Sequence, residues 1–291
     1  MNKSFVIRIS ASLILLGMIG CVNNTEKQSR EYPGHISYDP LPVYDIKFFS
    51  ETLQRDMHIN VVLPRDYEST EMNYPVLYLC HGYTSNYNEF VNIGVPQYLN
   101  QFDMIVVMVD VGNSFYINWA RSDDGRIHRY ADYVCNDVIS YVDRNYRTIA
   151  YRKGRAINGI SMGANGAITL GLAHPGLFCS IAGHSGGYSL DGAREGLKKK
   201  DEEEDPVANA WREAMINGTT MFYRDIDIEG FSTMKDRTPG GKIFTTGAQT
   251  GRIDPYINVL KIPVEKLPYI YIDIGTEDFY MNQPKSLCYF F

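Results

Sequence analysis

The chain has 291 residues, 44% hydrophobic and 21% charged, which fits one globular domain with a large core. Its net charge of -6 at pH 7 argues against nucleic acid as a partner. The basic residues form no stripe: Lys198-Lys199-Lys200 runs at once into Asp201-Glu202-Glu203-Glu204-Asp205, which reads as solvated surface.

The N-terminus reads as a targeting segment. Lys3 and Arg8 give a positive start, and residues 9–19 form an apolar run too short to span a bilayer as a mature helix. Met18-Ile19-Gly20-Cys21 resembles the bacterial lipoprotein processing box, in which the cysteine becomes the lipidated first residue. The expectation is a signal peptide over 1–21, lipidation at Cys21, and an exported protein held at a membrane surface, periplasmic or outward-facing. Residues 22–43, polar and without apolar periodicity, read largely as a tether. Of the other cysteines, Cys80 and Cys179 sit in apolar strand-like runs and read as small core residues. An exported location permits disulfides, and the sequence pairs none of Cys80, Cys135, Cys179 and Cys288.

The folded domain is expected over 44–291. Residues 46–53 and 57–63 are strand candidates joined tightly, an antiparallel pair. Residues 75–80 and 104–109 are apolar runs of buried-strand type, with a helix expected over 88–100 between them. Over 130–146, Tyr133, Val134, Val138, Tyr141 and Val142 share one face, which predicts an amphipathic helix. Residues 155–158 read as a short buried strand and 164–173 as a small-residue helix ended by His174-Pro175-Gly176. Strands follow over 179–182 and 269–274. Between them, 190–256 is long for a crossover and reads as an insertion or lid with a helix over 208–216. Strands alternating with helices predict an α/β fold, a mostly parallel central sheet covered on both faces, with chemistry at the strands' carboxyl ends.

Those ends carry the informative residues. Gly159-Ile160-Ser161-Met162-Gly163 is a Gly-x-Ser-x-Gly pattern between a strand and a helix, placing Ser161 as nucleophile at a sharp turn. A second match, Gly183-His184-Ser185-Gly186-Gly187, is followed by turn formers where a helix should begin, so Ser185 reads as a rival at a glycine turn. After residue 80, His81-Gly82-Tyr83-Thr84 turns backbone N–H groups into the cleft. Those of Tyr83 and Met162 are the expected oxyanion hole, and His81 reads as a structural histidine fixing the loop. In Gly275-Thr276-Glu277-Asp278, Asp278 is the expected orienting acid, with Glu277 and Asp273 as substitutes. No metal or organic cofactor is implied. Trp119, Trp211 and the tyrosines offer stacking surface, a weak lean towards sugar or aromatic acyl groups.

These residues resemble the esterase-D-like branch of the α/β-hydrolases, which includes feruloyl and acetyl xylan esterases, S-formylglutathione hydrolases, siderophore esterases and mycolyltransferases. The resemblance covers about 44–279. It rests on Leu79-Cys80-His81-Gly82, the Ser161 pentapeptide, His174-Pro175-Gly176-Leu177-Phe178, Ser185-Gly186 and Asp273-Ile274-Gly275-Thr276-Glu277-Asp278. It implies an α/β-hydrolase fold, Ser161 as nucleophile, Asp278 as triad acid, and the N–H groups of Tyr83 and Met162 as oxyanion hole. One small departure is Ala164, where the family usually has glycine. The larger one is that the family's catalytic histidine follows the acid after one further strand, with a final helix behind it. Here thirteen residues follow Asp278, none a histidine, and all six histidines precede it. The reading is therefore a domain missing its last strand and helix, with 269–274 left as an apolar sheet edge and His184 or His81 as substitute base. The expected function is a serine carboxylesterase acting on acyl esters of carbohydrates, acetyl or feruloyl in type. The rivals are an impaired homologue binding a surface glycan or ester, and a non-functional fragment.

Overall fold

The computed structural model describes residues 39–190, 240–276 and 278. The expectations for Cys21, the signal peptide and most of the tether lie outside these residues, as do Trp211, the 208–216 helix, the 198–205 charge run, Glu277 and Cys288.

Among the described residues nine strands form: β1 Val43–Ser50, β2 Arg55–Val62, β3 Val76–Cys80, β4 Ile105–Val109, β5 Arg121–Ser122, β6 Arg155–Ile160, β7 Ser180–His184, β8 Gly241–Lys242 and β9 Tyr269–Asp273. Seven make one sheet in the order β1-β2-β4-β3-β6-β7-β9, and β5 pairs with β8 apart from it. β1, β2 and β4 are antiparallel neighbours, and from β4 to β9 every pairing is parallel. β3 and β4 are apolar along their whole length because helices cover both faces of a parallel sheet.

Alternate residues feed two cores. Val76, Tyr78, Cys80, Ile105, Val107, Ile157 and Ile181 pack on one face against Ala164, Ala167, Ile168 and Leu170 of the elbow helix, Met162–Ala173. Leu77, Leu79, Val106, Met108 and Ala156 pack on the other against Phe90, Val95 and Leu99.

Several boundaries differ from expectation for identifiable reasons. The 88–100 helix is two short pieces, an α-turn Glu89–Asn92 and a 3-10 segment Val95–Gln101. Gly94 sits between them at φ 82, followed by Pro96, which has no N–H to continue the ladder. The 130–146 helix forms, with a π-helical stretch Tyr133–Val138 between Tyr130–Asp132 and Ile139–Asn145. That stretch presents Asp137 to the β1–β2 turn, where the Thr52 N–H and hydroxyl donate to it at 2.8 and 2.6 Å. Cys179 is buried, as expected of a core residue, and is disulfide-bonded, a pairing the sequence left open, whereas Cys80 and Cys135 are free and buried.

In the 190–256 stretch, the described part beyond 239 is scaffold. β8 is followed by two helices, Gly247–Ile253 and Pro255–Val259, that pack on the elbow helix. The first is held by a capping box between Thr246 and Gln249, and the second is capped by Asp254.

Candidate active site

The elbow is built by backbone demands that the pentapeptide satisfies. Ser161 sits at φ 56, ψ -118, a conformation costly for any residue with a Cβ. It is pinned by its N–H donating to the His184 carbonyl at 2.9 Å and its own carbonyl accepting from Asn165 N–H at 3.2 Å. A Cβ on Gly159 would lie 2.2 Å from the Gly163 carbonyl, and one on Gly163 1.9 Å from the Cys80 carbonyl oxygen. Both positions therefore require glycine. Ser161 stays partly exposed, whereas Met162 behind it is buried.

Ser185 also has positive φ, 50, and its N–H donates to the Asp273 carbonyl at 3.0 Å. No helix follows it through residue 190. Its turn packs beneath the elbow: a Cβ on Gly186 would lie 2.7 Å from the Ala164 Cβ.

The loop after β3 lies against the serine. A Cβ on Gly82 would be 3.6 Å from Ser161 Cβ. The Gly82 N–H donates to Glu89 Oε2 at 2.6 Å, and the Thr84 N–H, at a residue with φ 69, donates to Asn113 Oδ1 at 2.8 Å. Tyr83 lies between them, its ring against Phe115 at 5.4 Å. Met162 opens the elbow helix, where N–H groups lack intrahelical partners and present positive charge. Glu89 and Asn113 were not singled out from the sequence; an acid seven residues after Gly82 and an asparagine beside Gly112 were the available signals.

The two candidate bases differ sharply. His81 is fully buried, with Nδ1 2.8 Å from the Gly82 carbonyl and Nε2 accepting the Val111 N–H at 3.2 Å. Both ring nitrogens are occupied, so His81 holds the loop and has no lone pair to offer Ser161. His184 has Nδ1 2.9 Å from Asp273 Oδ1, and its Nε2 is buried without a hydrogen-bond partner. Asp273, expected as a substitute acid, is thereby matched to His184. Asp278 stands beyond it, half-buried, its N–H donating to the Gly275 carbonyl at 3.0 Å. Burial first, then the Asp273 and Asp278 carboxylates, push the Tyr188 hydroxyl far above its ordinary pKa. Trp119 is used in packing: its indole donates to the Ser114 carbonyl at 3.1 Å and its ring lies 5.2 Å from His128. Among the described residues, no group of three His, Cys, Asp or Glu is placed to hold a metal, and no helix is long and apolar enough to cross a membrane.

Residues 50–286 match the family model described as "Putative esterase". The chain belongs to that esterase family. Esterase MT1326 of Mycobacterium tuberculosis is 34% identical over 135 residues, 45% of this chain, and the chain spans only 29% of that relative. An acetyl esterase of Caldicellulosiruptor saccharolyticus is 22% identical over 255 residues, 85% of each chain. Among solved structures, a fluorophosphonate-binding serine hydrolase of Staphylococcus aureus superposes with a TM-score of 0.59 at 22% identity, covering 86% of each chain. The fold is that of the α/β-hydrolases, as the motif resemblance implied, with the elbow serine at the carboxyl end of β6, between β3 and β7.

Proposed function

We propose that this esterase-family chain hydrolyses acyl esters, acetyl or feruloyl groups on carbohydrate, through an acyl-enzyme on Ser161. The observation that carries the reading is Ser161 itself, held at φ 56 on a strand-to-helix apex, with Gly82 near enough that a Cβ there would lie 3.6 Å from the serine Cβ. In this mechanism Ser161 Oγ attacks the ester carbonyl, and the oxyanion is met by the N–H groups of Tyr83 and Met162. The alcohol leaves with a proton, and water then releases the acid. The acetyl esterase relative, matched over most of its length, supports the substrate class.

The serine's proton needs an acceptor, whose loss costs about 10⁶ in rate in a comparable site. His184 is the acceptor proposed here: Asp273 fixes its Nδ1–H tautomer and leaves Nε2 to take the proton. No hydrogen bond joins Ser161 Oγ to His184 Nε2, so this mechanism requires the ring to approach Ser161. The same missing hydrogen bond favours a second reading, an ester- or glycan-binding protein that turns nothing over. Lipidation of Cys21 and attachment to a membrane surface belong to the proposal as well; mass spectrometry of the membrane fraction, with Cys21→Ala as control, tests them.

The deciding assay is hydrolysis of 4-nitrophenyl acetate by the full chain. Expected is turnover abolished in Ser161→Ala, retained in Ser185→Ala, and reduced at least about 10²-fold in His184→Ala. Activity unchanged in His184→Ala removes that residue as base. A folded protein with ester affinity and no turnover establishes the binding reading instead.

A further inference from the structure

We infer that Glu89 is the positioning residue of the oxyanion loop, an inference that rests on the esterase reading of the Ser161 site. The loop's polar groups are tied one by one. The Gly82 carbonyl is held by His81 Nδ1 at 2.8 Å and by the Ser85 N–H at 3.3 Å. The Thr84 N–H is held by Asn113. The Gly82 N–H is held by Glu89 at 2.6 Å, a charge-assisted bond shorter than a neutral amide makes.

That last bond fixes the rotation of the peptide immediately before the one whose N–H belongs to Tyr83. A peptide plane free to rotate changes the aim of the next, and an oxyanion donor works only within a few tenths of an ångström of its place. Glu89 reaches the loop from the short α-turn Glu89–Asn92, and its own N–H donates to the Asn86 carbonyl at 3.0 Å. Neighbouring Phe90 is buried in the second core, so the carboxylate is carried by a segment anchored to the sheet. The carboxylate is also drawn out of water: burial raises its pKa although Gly82 and Ser85 both donate to it. A costly buried acid at this point is accounted for by the amide it orients.

The experiment compares Glu89→Leu and Glu89→Gln with the wild type in 4-nitrophenyl acetate hydrolysis. Loss of the acceptor in Glu89→Leu lowers kcat about 10²-fold with KM within about threefold, the signature of an interaction made in the transition state. Glu89→Gln keeps an acceptor oxygen and recovers kcat to within about tenfold of wild type. Glu89→Ala, with the same loss expected, replaces the leucine variant if that one fails to fold. A leucine or alanine variant with wild-type kcat, or a glutamine variant as damaged as the leucine one, overturns the inference. The Gly82 amide proton, read by NMR on glycine-labelled protein, supplies a readout that needs no turnover. It lies far downfield in wild type and moves upfield in Glu89→Leu; an unmoved resonance overturns the inference even if the wild type proves inactive, which by itself refutes only the esterase reading.

Discussion

Single residues at the site divide into those dictated by local backbone geometry and those chosen by a distant partner. Gly159 and Gly163 belong to the first kind, because no Cβ fits 2.2 Å from the Gly163 carbonyl or 1.9 Å from the Cys80 oxygen. Gly163→Ala is accordingly expected to push the elbow off β3 and cut esterase activity at least about 10²-fold, with substrate hydrolysis and thermal melting as the measurements. Ser161 was legible for the same local reason. The contacts of His81, His184 and Glu89 were less so, since they depend on which atom each ring nitrogen or carboxylate meets across the fold. Glu89 also carries a pH signature. Burial raises its folded pKa above the unfolded value, so the folded state holds the proton more tightly, and stability declines as pH rises through that window. Glu89→Gln removes the ionised form. It is expected to melt higher than wild type at neutral pH, with the difference shrinking as pH falls and the wild-type carboxyl takes up its proton, read by thermal melting across pH.

At the scale of elements, apolar runs and small-residue spacing were sufficient for β3, β4, β6 and the elbow helix. That helix approaches its neighbours closely: a Cβ on Gly171 would lie 2.2 Å from Ile181 Cγ2, and one on Gly166 2.4 Å from the Tyr116 ring. Its glycines and alanines are the sequence trace of that approach. The β5–β8 pair was not legible, because two-residue strands have no periodicity and are set by contacts around Asp124. Burial alone would raise the Asp124 pKa. The N–H groups of Gly240 and Arg126, each 3.0 Å away, and the His128 ring at 2.7 Å outweigh it and hold the carboxyl well below the ordinary range. Asp124 thus ties the 121–129 loop to the segment leading into β8. Asp124→Ala is expected to speed amide exchange at Gly240 and Arg126 about tenfold, read by hydrogen-exchange NMR, while the elbow helix keeps wild-type protection.

For the molecule as a whole, the sheet's parallel half, from β3 to β9, was readable because alternating strands and helices leave one economical arrangement. Cysteine chemistry tests whether the core on the elbow-helix face unfolds as one unit with the sheet. Cys80 and Cys135 both belong to the core on the elbow-helix face, Cys80 at the end of β3 and Cys135 in the π-helical stretch. Burial pushes the Cys135 thiol up to about 12 and that of Cys80 higher still, so neither supplies thiolate at neutral pH. Alkylation of the native protein is therefore expected to label neither, and a denaturant titration to release both at one midpoint coinciding with loss of the far-ultraviolet signal. Cys179, held in its disulfide, is labelled only after reduction. Because β3 is shared by both faces, with Leu77 and Leu79 on one and Tyr78 and Cys80 on the other, neither core can open while that strand stays paired. Labelling of Cys135 well before Cys80 would contradict this, and would mean that the 130–145 helix leaves the sheet as a separate unit.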